Sequence, residues 1–246
     1  MMGYSDWRTK SPHSASTNGL RLLHHYSLEE ANTMMTHPNW TRAIFVREPK
    51  ERFLSAFLEK AHSHHGQTVY LEHVVRKSKT CCQHGSQEPC PQLERAKQSF
   101  TGFVRLVQLG CEDPHWRPQH YKMEDKYWPY ITFVGHLETA NIDAKILLQI
   151  IGAWEEFGQT GWGPDAQHDH GIFQSPPDTK AVGQHHATNA RTKLLQWYTP
   201  KIELLVEEIF QVDYNNPKIN YTMIRLFQES AYHNITSTQR TTPPPP

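Results

Sequence analysis

An apolar run, Ala43-Ile44-Phe45-Val46, passes through Arg47 and Glu48 into Pro49, after which Phe53, Leu54, Phe57, Leu58 and Ala61 recur at helical spacing. The run is long enough for a buried strand, and proline is tolerated in the first turn of a helix. The segment therefore reads as strand, tight turn, helix. That unit sets the Arg47 guanidinium at the carboxyl end of a strand and carries the Ser55 hydroxyl about two turns into the helix. Both can reach one phosphate, because a guanidinium matches phosphate oxygens bidentately and a hydroxyl adds a donor. The same spacing also suits a surface arginine and a helix serine with purely local partners.

Further along, Ser27 is a plausible N-cap for a short helix to Met35, with Glu29 and Glu30 where the helix dipole favours them. A helix is expected over Ser99 to Leu109, with Phe100, Phe103, Val104 and Val107 on one face. Tyr130 to Val134 reads as a second buried strand. Asn141 to Phe157 reads as a long amphipathic helix with Ile142, Ile146, Leu147, Ile150, Ile151 and Trp154 turned inward. Two more helices are expected at about 188–198 and 200–211, the second with Thr199 as N-cap, Pro200 at its first position and Leu204, Leu205, Ile209 and Phe210 as its buried face. Strand alternating with helix argues for an α/β fold built on a parallel sheet. Residues 1–19 and 158–185 read as loops. Residues 62–95, dense in His, Cys, Gln and Ser without periodicity, read as an insertion. The single domain is expected to span 1–235, and the proline-rich 236–246 to be a disordered tail.

Lys plus Arg total 25 and Asp plus Glu total 25, so no global basic field of the kind that marks nucleic-acid binding exists. Any anion site must be local. Cys81, Cys82, Cys90 and Cys111 lie in one window without the regular spacing of a structural zinc site. Disulfides are expected, with zinc and free thiols as the alternatives; a metal site on Cys81, His84, His168 and His170 has no convincing spacing. Sequons at Asn39, Asn220 and Asn234 lean the same way as disulfides, towards a lumenal compartment. No apolar run approaches the ~20 residues of a membrane span.

Phe45 to Phe57 closely resembles the 3′-phosphate-binding segment of carbohydrate sulfotransferases. Asp113-Pro114-His115-Trp116-Arg117-Pro118-Gln119, Val134-Gly135-His136-Leu137-Glu138, the run from His186 to Pro200, and Val212-Asp213-Tyr214 resemble the later blocks of that family in the same order. The branch resembled is the Golgi group of chondroitin, dermatan and HNK-1 sulfotransferases and their algal relatives. Such enzymes transfer a sulfuryl group from 3′-phosphoadenosine 5′-phosphosulfate (PAPS) to a sugar hydroxyl.

The resemblance implies a parallel-sheet, P-loop-NTPase-like sulfotransferase fold and a Golgi lumenal or membrane location for a full-length form. It implies Arg47 and Ser55 as the 3′-phosphate clamp, with Glu48 where the family usually has Asp, a better helix cap. It nominates His25 as the base, because an imidazole suits a sugar hydroxyl's proton near neutral pH, with His24 beside it. His186, Thr188 and Arg191 are expected to close over PAPS, with a plain N-cap as the other reading of Thr188. His115, Trp116 and Arg117 are expected to meet the glycan, against a buried tryptophan with a hydrogen-bonded histidine. No metal is expected. The family's first strand and lysine-containing 5′-phosphosulfate loop have no counterpart in this sequence, so the expectation is an amino-terminally truncated version whose membrane anchor went with the same piece. An inactive nucleotide- or glycan-binding remnant is the alternative to an active transferase.

Overall fold

The expected strand and helix form where the apolar run and the proline place them. β1 (Ala43–Val46) leads through Arg47 and Glu48 into α2 (Pro49–Lys60), preceded by α1 (Leu28–Thr36). The structure is a computed structural model and describes residues 21–62, 68–77, 91–158, 188–230 and 232. Ser27 caps α1 reciprocally with Glu30, each side chain bonding the other's backbone N–H.

β1 pairs in parallel with β2 (Phe133–His136), Ala43 opposite Phe133 and Val46 opposite His136. This strand lies about three residues later than the apolar pattern indicates. Asp125–Tyr130 winds a 3-10 turn around Pro129 instead, and Ile131 is spent in a small core with Val46, Trp128 and Ile219. Gly135 faces Phe45 across the ladder, and a Cβ there would come within 2.5 Å of the Phe45 ring, so the position has no room for a side chain.

The remaining helices are α3 (Thr68–Lys77), α4 (Pro91–Gln98), α5 (Phe100–Gln108), α6 (Ala140–Ile150), α7 (Ala190–Trp197) and α8 (Pro200–Asn215). Helices α3 and α4 arise inside the stretch read as aperiodic. Leu71 and Val75, one turn apart, are buried, but the surrounding His, Cys and Gln dilute that signal. The main core lies between α2, α5 and α8. Phe53 stacks at 5.7, 5.1 and 5.2 Å from Phe100, Phe103 and Phe210, and Phe57 at 5.2 and 5.5 Å from the first two. Aromatic pairs of this kind contribute about 0.5–1.5 kcal/mol each beyond their area. Cys111 is buried and disulfide-bonded to a cysteine outside the described residues.

Helix α6 corrects the sequence expectation. It ends at Ile150 and gives way to a wide turn over Trp154–Gly158. Ala144 is its only buried residue, while Ile142, Ile146, Ile150 and Ile151 are exposed, Ile142 by 62%. An amphipathic stripe buries itself only where a layer exists to receive it, and the sheet is two strands wide among the described residues. Helix α8 differs as well. Leu204, Leu205 and Ile209 are half-buried, while Glu203, Glu207 and Asp213 join Ile202, Val206 and Phe210 on the buried side. Residues 1–20, 159–187 and 233–246, with the expected loops and tail, lie outside the described residues.

Candidate functional site

Gln119 sets the end of β1. Its side-chain amide accepts from the Arg47 N–H at 2.9 Å and donates to the Arg47 carbonyl at 2.8 Å, imitating a neighbouring strand. Gln119 is itself buried, and the Asp213 carboxylate holds the backbone N–H groups of Gln119 and His120 at 2.9 and 2.7 Å. Burial pushes the Asp213 carboxyl up, and these donors work against that push. The turn is fixed further by Glu48. Its backbone N–H donates to Glu138 at 2.7 Å, and its carboxylate accepts from the Glu51 N–H at 2.8 Å and the Tyr214 hydroxyl at 2.6 Å. Glu48 thus serves as the side-chain N-cap of α2. Carboxylates therefore occupy the Glu48 and Glu51 N–H groups at the start of α2.

Arg47, two residues ahead of α2, and Glu51 and Ser55 within it recur every four residues, and Arg47 reaches Glu51. The chain after α6 brings the other half. Arg191 places Nε 3.5 Å from Glu51 Oε1, while Arg47 Nε lies 3.7 Å from Oε2, so one carboxylate lies between two guanidinium groups. The Ser55 and Thr188 hydroxyls are 2.8 Å apart, and the Thr188 carbonyl accepts from Lys193 Nζ at 2.8 Å. Thr188 is not the N-cap of α7. That place belongs to Asn189, in a left-handed conformation at φ 50° and without a capping side-chain bond, which leaves the Thr188 hydroxyl to Ser55. The expected phosphate pair Arg47 and Ser55 therefore meets Thr188 and Arg191, two of the residues expected to close over PAPS; His186 lies outside the described residues. Burial pushes the Glu51 carboxyl up, reinforced by Glu138 and Glu48 and opposed by Arg47 and Arg191.

The histidines divide. His24 and His25 are exposed on a 3-10 turn, rings edge-on at 4.2 Å, and His25 Nδ1 accepts from the Leu22 N–H at 3.2 Å. Among the described residues no hydrogen bond or ion pair joins them to the Arg47 group. His115 is built in: Nδ1 lies 2.5 Å from Asp113 Oδ1, and the Tyr70 hydroxyl donates to Asp113 Oδ2 at 3.0 Å and lies 2.9 Å from the same ring nitrogen. Burial works against the Asp113 charge, but the bonds from the His115 ring and backbone and from Tyr70 outweigh it and hold this carboxyl below the usual range. Burial, with Asp113 next, pushes the Tyr70 hydroxyl up to about 12.

Trp116 is fully buried, edge-on to Phe103 at 5.3 Å, with Nε1 donating to the Cys111 carbonyl at 2.8 Å. Its indole has no surface to offer a sugar, which corrects its expected contact with glycan. Arg52 binds this loop to α2, donating to the Arg117 and Pro114 carbonyls, both at 2.7 Å. Among the described residues no group of three or more His, Cys, Asp or Glu side chains is placed to hold a metal, and no helix is long and apolar enough to cross a membrane.

A model of the sulfotransferase family matches residues 5–216, which include every segment that forms this site. The chain belongs to the sulfotransferase family. The parallel pair of strands with flanking helices is consistent with a sulfotransferase-like fold. No curated protein and no solved structure gave a significant match.

Sequence reasoning missed Glu51 in this member of the sulfotransferase family, although it lies four residues from both Arg47 and Ser55. It also missed Tyr70, which lies in a different helix from Asp113 and His115 and reaches them only through folding.

Proposed function

We propose that this sulfotransferase-family protein transfers a sulfuryl group from PAPS to a hydroxyl of a carbohydrate, in the Golgi lumen. The observation that carries this reading is the meeting of Ser55 with Thr188 and of Arg47 with Arg191 across Glu51, from segments far apart in sequence. Two guanidinium groups and two hydroxyls suit the 3′-phosphate of the donor, with bidentate contacts from the arginines and single donors from Ser55 and Thr188. Exposed Asn39 and Asn220 and the disulfide at Cys111 support the lumenal compartment.

In the proposed reaction the acceptor oxygen attacks sulfur in line, its proton passes to an imidazole nitrogen, and the sulfur–oxygen bond to the 5′-phosphate breaks. The leaving 3′-phosphoadenosine 5′-phosphate carries away the charge. His25 is the base the resemblance nominates. Its Nδ1 lone pair is taken by the Leu22 N–H, so in the neutral ring the proton sits on Nε2, and action as a base requires that bond to break. A second reading favours His115. Asp113 holds its Nδ1–H and leaves the Nε2 lone pair outward, the orientation that a carboxylate–imidazole pair uses to accept a proton.

The test is calorimetric titration with 3′-phosphoadenosine 5′-phosphate together with transfer of labelled sulfate to a glycan panel. The wild-type protein should bind the nucleotide, and Arg47→Ala should weaken it by roughly 10- to 100-fold, the loss of a charge-assisted contact. Absence of nucleotide binding overturns the reading. Binding without transfer assigns the chain to the nucleotide-binding remnant. With transfer in hand, loss of activity in His25→Ala or in His115→Asn identifies the base.

A further inference from the structure

Tyr70 reaches the Asp113 and His115 pair from a distant part of the chain, 43 and 45 residues away. It stands on α3, a helix inside the stretch without periodicity, and α3 is pinned to the main core by buried Leu71 and Val75. Packing holds its ring as well. The ring is edge-on to the His115 imidazole at 5.1 Å, and the Lys60 ammonium lies 5.1 Å from its centroid. The hydroxyl is thereby delivered to one place.

Asp113 gives one carboxylate oxygen to each partner. Oδ1 lies 2.5 Å from His115 Nδ1 and accepts from the His115 backbone N–H at 2.9 Å, while Oδ2 accepts from the Tyr70 hydroxyl at 3.0 Å. With its proton directed to Asp113, the Tyr70 oxygen faces His115 Nδ1 at 2.9 Å as a second acceptor. A ring nitrogen between two acceptor oxygens must carry the proton, since its lone pair would otherwise oppose theirs. If Tyr70 donated to the ring instead, Asp113 would have to be protonated. Burial does work against the Asp113 charge, but the bonds from His115 and Tyr70 outweigh it and hold the carboxyl below the usual range. Burial, with Asp113 next, pushes the Tyr70 hydroxyl up to about 12, so it keeps its proton at neutral pH. In a neutral ring the lone pair then belongs to Nε2, which has no hydrogen-bond partner among the described residues, on a histidine that is exposed.

We infer that Tyr70 is a positioning residue: it ties the second oxygen of Asp113, shares the Nδ1 proton of His115 and so fixes the ring in the form that accepts a proton at Nε2. This rests on the reading of His115 as the base in sulfuryl transfer. The proton of the attacking hydroxyl passes to Nε2, and the imidazolium formed has Asp113 and the Tyr70 oxygen against its other N–H. Without the tyrosine hydroxyl, Oδ2 loses its anchor and Nδ1–H keeps one acceptor. A tyrosine that served only to hold the loop would leave the position of the proton unchanged.

Nitrogen-15 spectra of the full chain, recorded above the imidazole titration range, report which ring nitrogen carries the proton, and the His115 signals are those missing from His115→Asn. The wild type should show Nδ1–H. Asp113→Asn should move the proton to Nε2, because a carboxamide can donate to Nδ1. Tyr70→Phe keeps the ring and its packing and should give a mixture of the two forms. With saturating PAPS and glycan, Tyr70→Phe should lower kcat roughly tenfold, the loss of one hydrogen bond to a charged group, and leave KM unchanged. A wild-type proton on Nε2, or a pure Nδ1–H signal in Tyr70→Phe, overturns the inference. So does an unchanged kcat in Tyr70→Phe when His115→Asn is inactive. Full transfer by His115→Asn beside a mixed signal in Tyr70→Phe sinks the reading of His115 as base alone.

Discussion

Lys50 is a buried cation on which two carboxylates depend. Its side chain is 1% exposed, and Nζ donates to Glu203, to Glu207 Oε1 at 2.9 Å and to the Ile224 carbonyl at 2.6 Å. Arg225 completes the group from the edge, 3.5 Å from Glu207 Oε2, so two cations balance two carboxylates. Lys50→Met keeps most of the volume but leaves Glu203 without a cation among the described residues and Glu207 with one half-exposed guanidinium. Removing one partner of a buried pair costs about 3–5 kcal/mol. At roughly 2–4 °C per kcal/mol for a domain of this size, the melting temperature should fall by roughly 6–20 °C. Circular dichroism during thermal and urea unfolding reads both quantities. Lys50→Met combined with Glu203→Gln should be less damaging than the two separate losses added together, because the residues share one network. A Lys50→Met protein within 1 kcal/mol of wild type, or strict additivity in the double variant, would refute the reasoning.

Three further outcomes follow from the same geometry. Glu51, whose carboxyl is pushed up by burial and then by Glu138 and Glu48, should take up a proton more readily when a phosphate dianion arrives between Arg47 and Arg191, so affinity for 3′-phosphoadenosine 5′-phosphate should rise as pH falls through that raised range; calorimetry in buffers of different ionisation enthalpy should detect the proton, and Glu51→Gln should abolish the uptake. Asp113 has its carboxyl held below the ordinary range, so its contribution to stability is complete above the unfolded value of about 4 and is lost as pH falls towards the lower folded value; Asp113→Asn should flatten this acid limb of urea-measured stability. Trp116→Ala should cost about 3–5 kcal/mol in urea unfolding, as for a fully buried core aromatic, and a near-neutral result would mean the indole is not part of the core.

Local pattern carried β1, α1, α2, α5 and α8 into view because each is signalled within a few residues: a β-rich run, a serine or threonine cap, a proline at the first helical position, a period of 3.6. The β2 boundary escaped because a short apolar run does not state which of its residues enters a ladder and which a small core. Helix α6 escaped differently. Its stripe of isoleucines was read correctly as a stripe, but whether a stripe is covered depends on what packs over it. At the site, Arg47 and Ser55 were legible because one short strand–turn–helix segment carries both. The bond between Ser55 and Thr188 was not, since nothing within either segment records the other's position.

By itself the sequence determined the turn from β1 into α2, the placing of Arg47 and Ser55 about it and the sulfotransferase family blocks. Tertiary structure alone decided that Glu51 lies between two arginines, that Trp116 is core and not platform, and that His115 rests against Asp113 and Tyr70 while His25 stands on an exposed turn. The difference is physical. Capping, proline position and hydrophobic period act over a few residues and are written in order along the chain, whereas burial and Coulombic balance depend on distances that exist only after distant segments have packed.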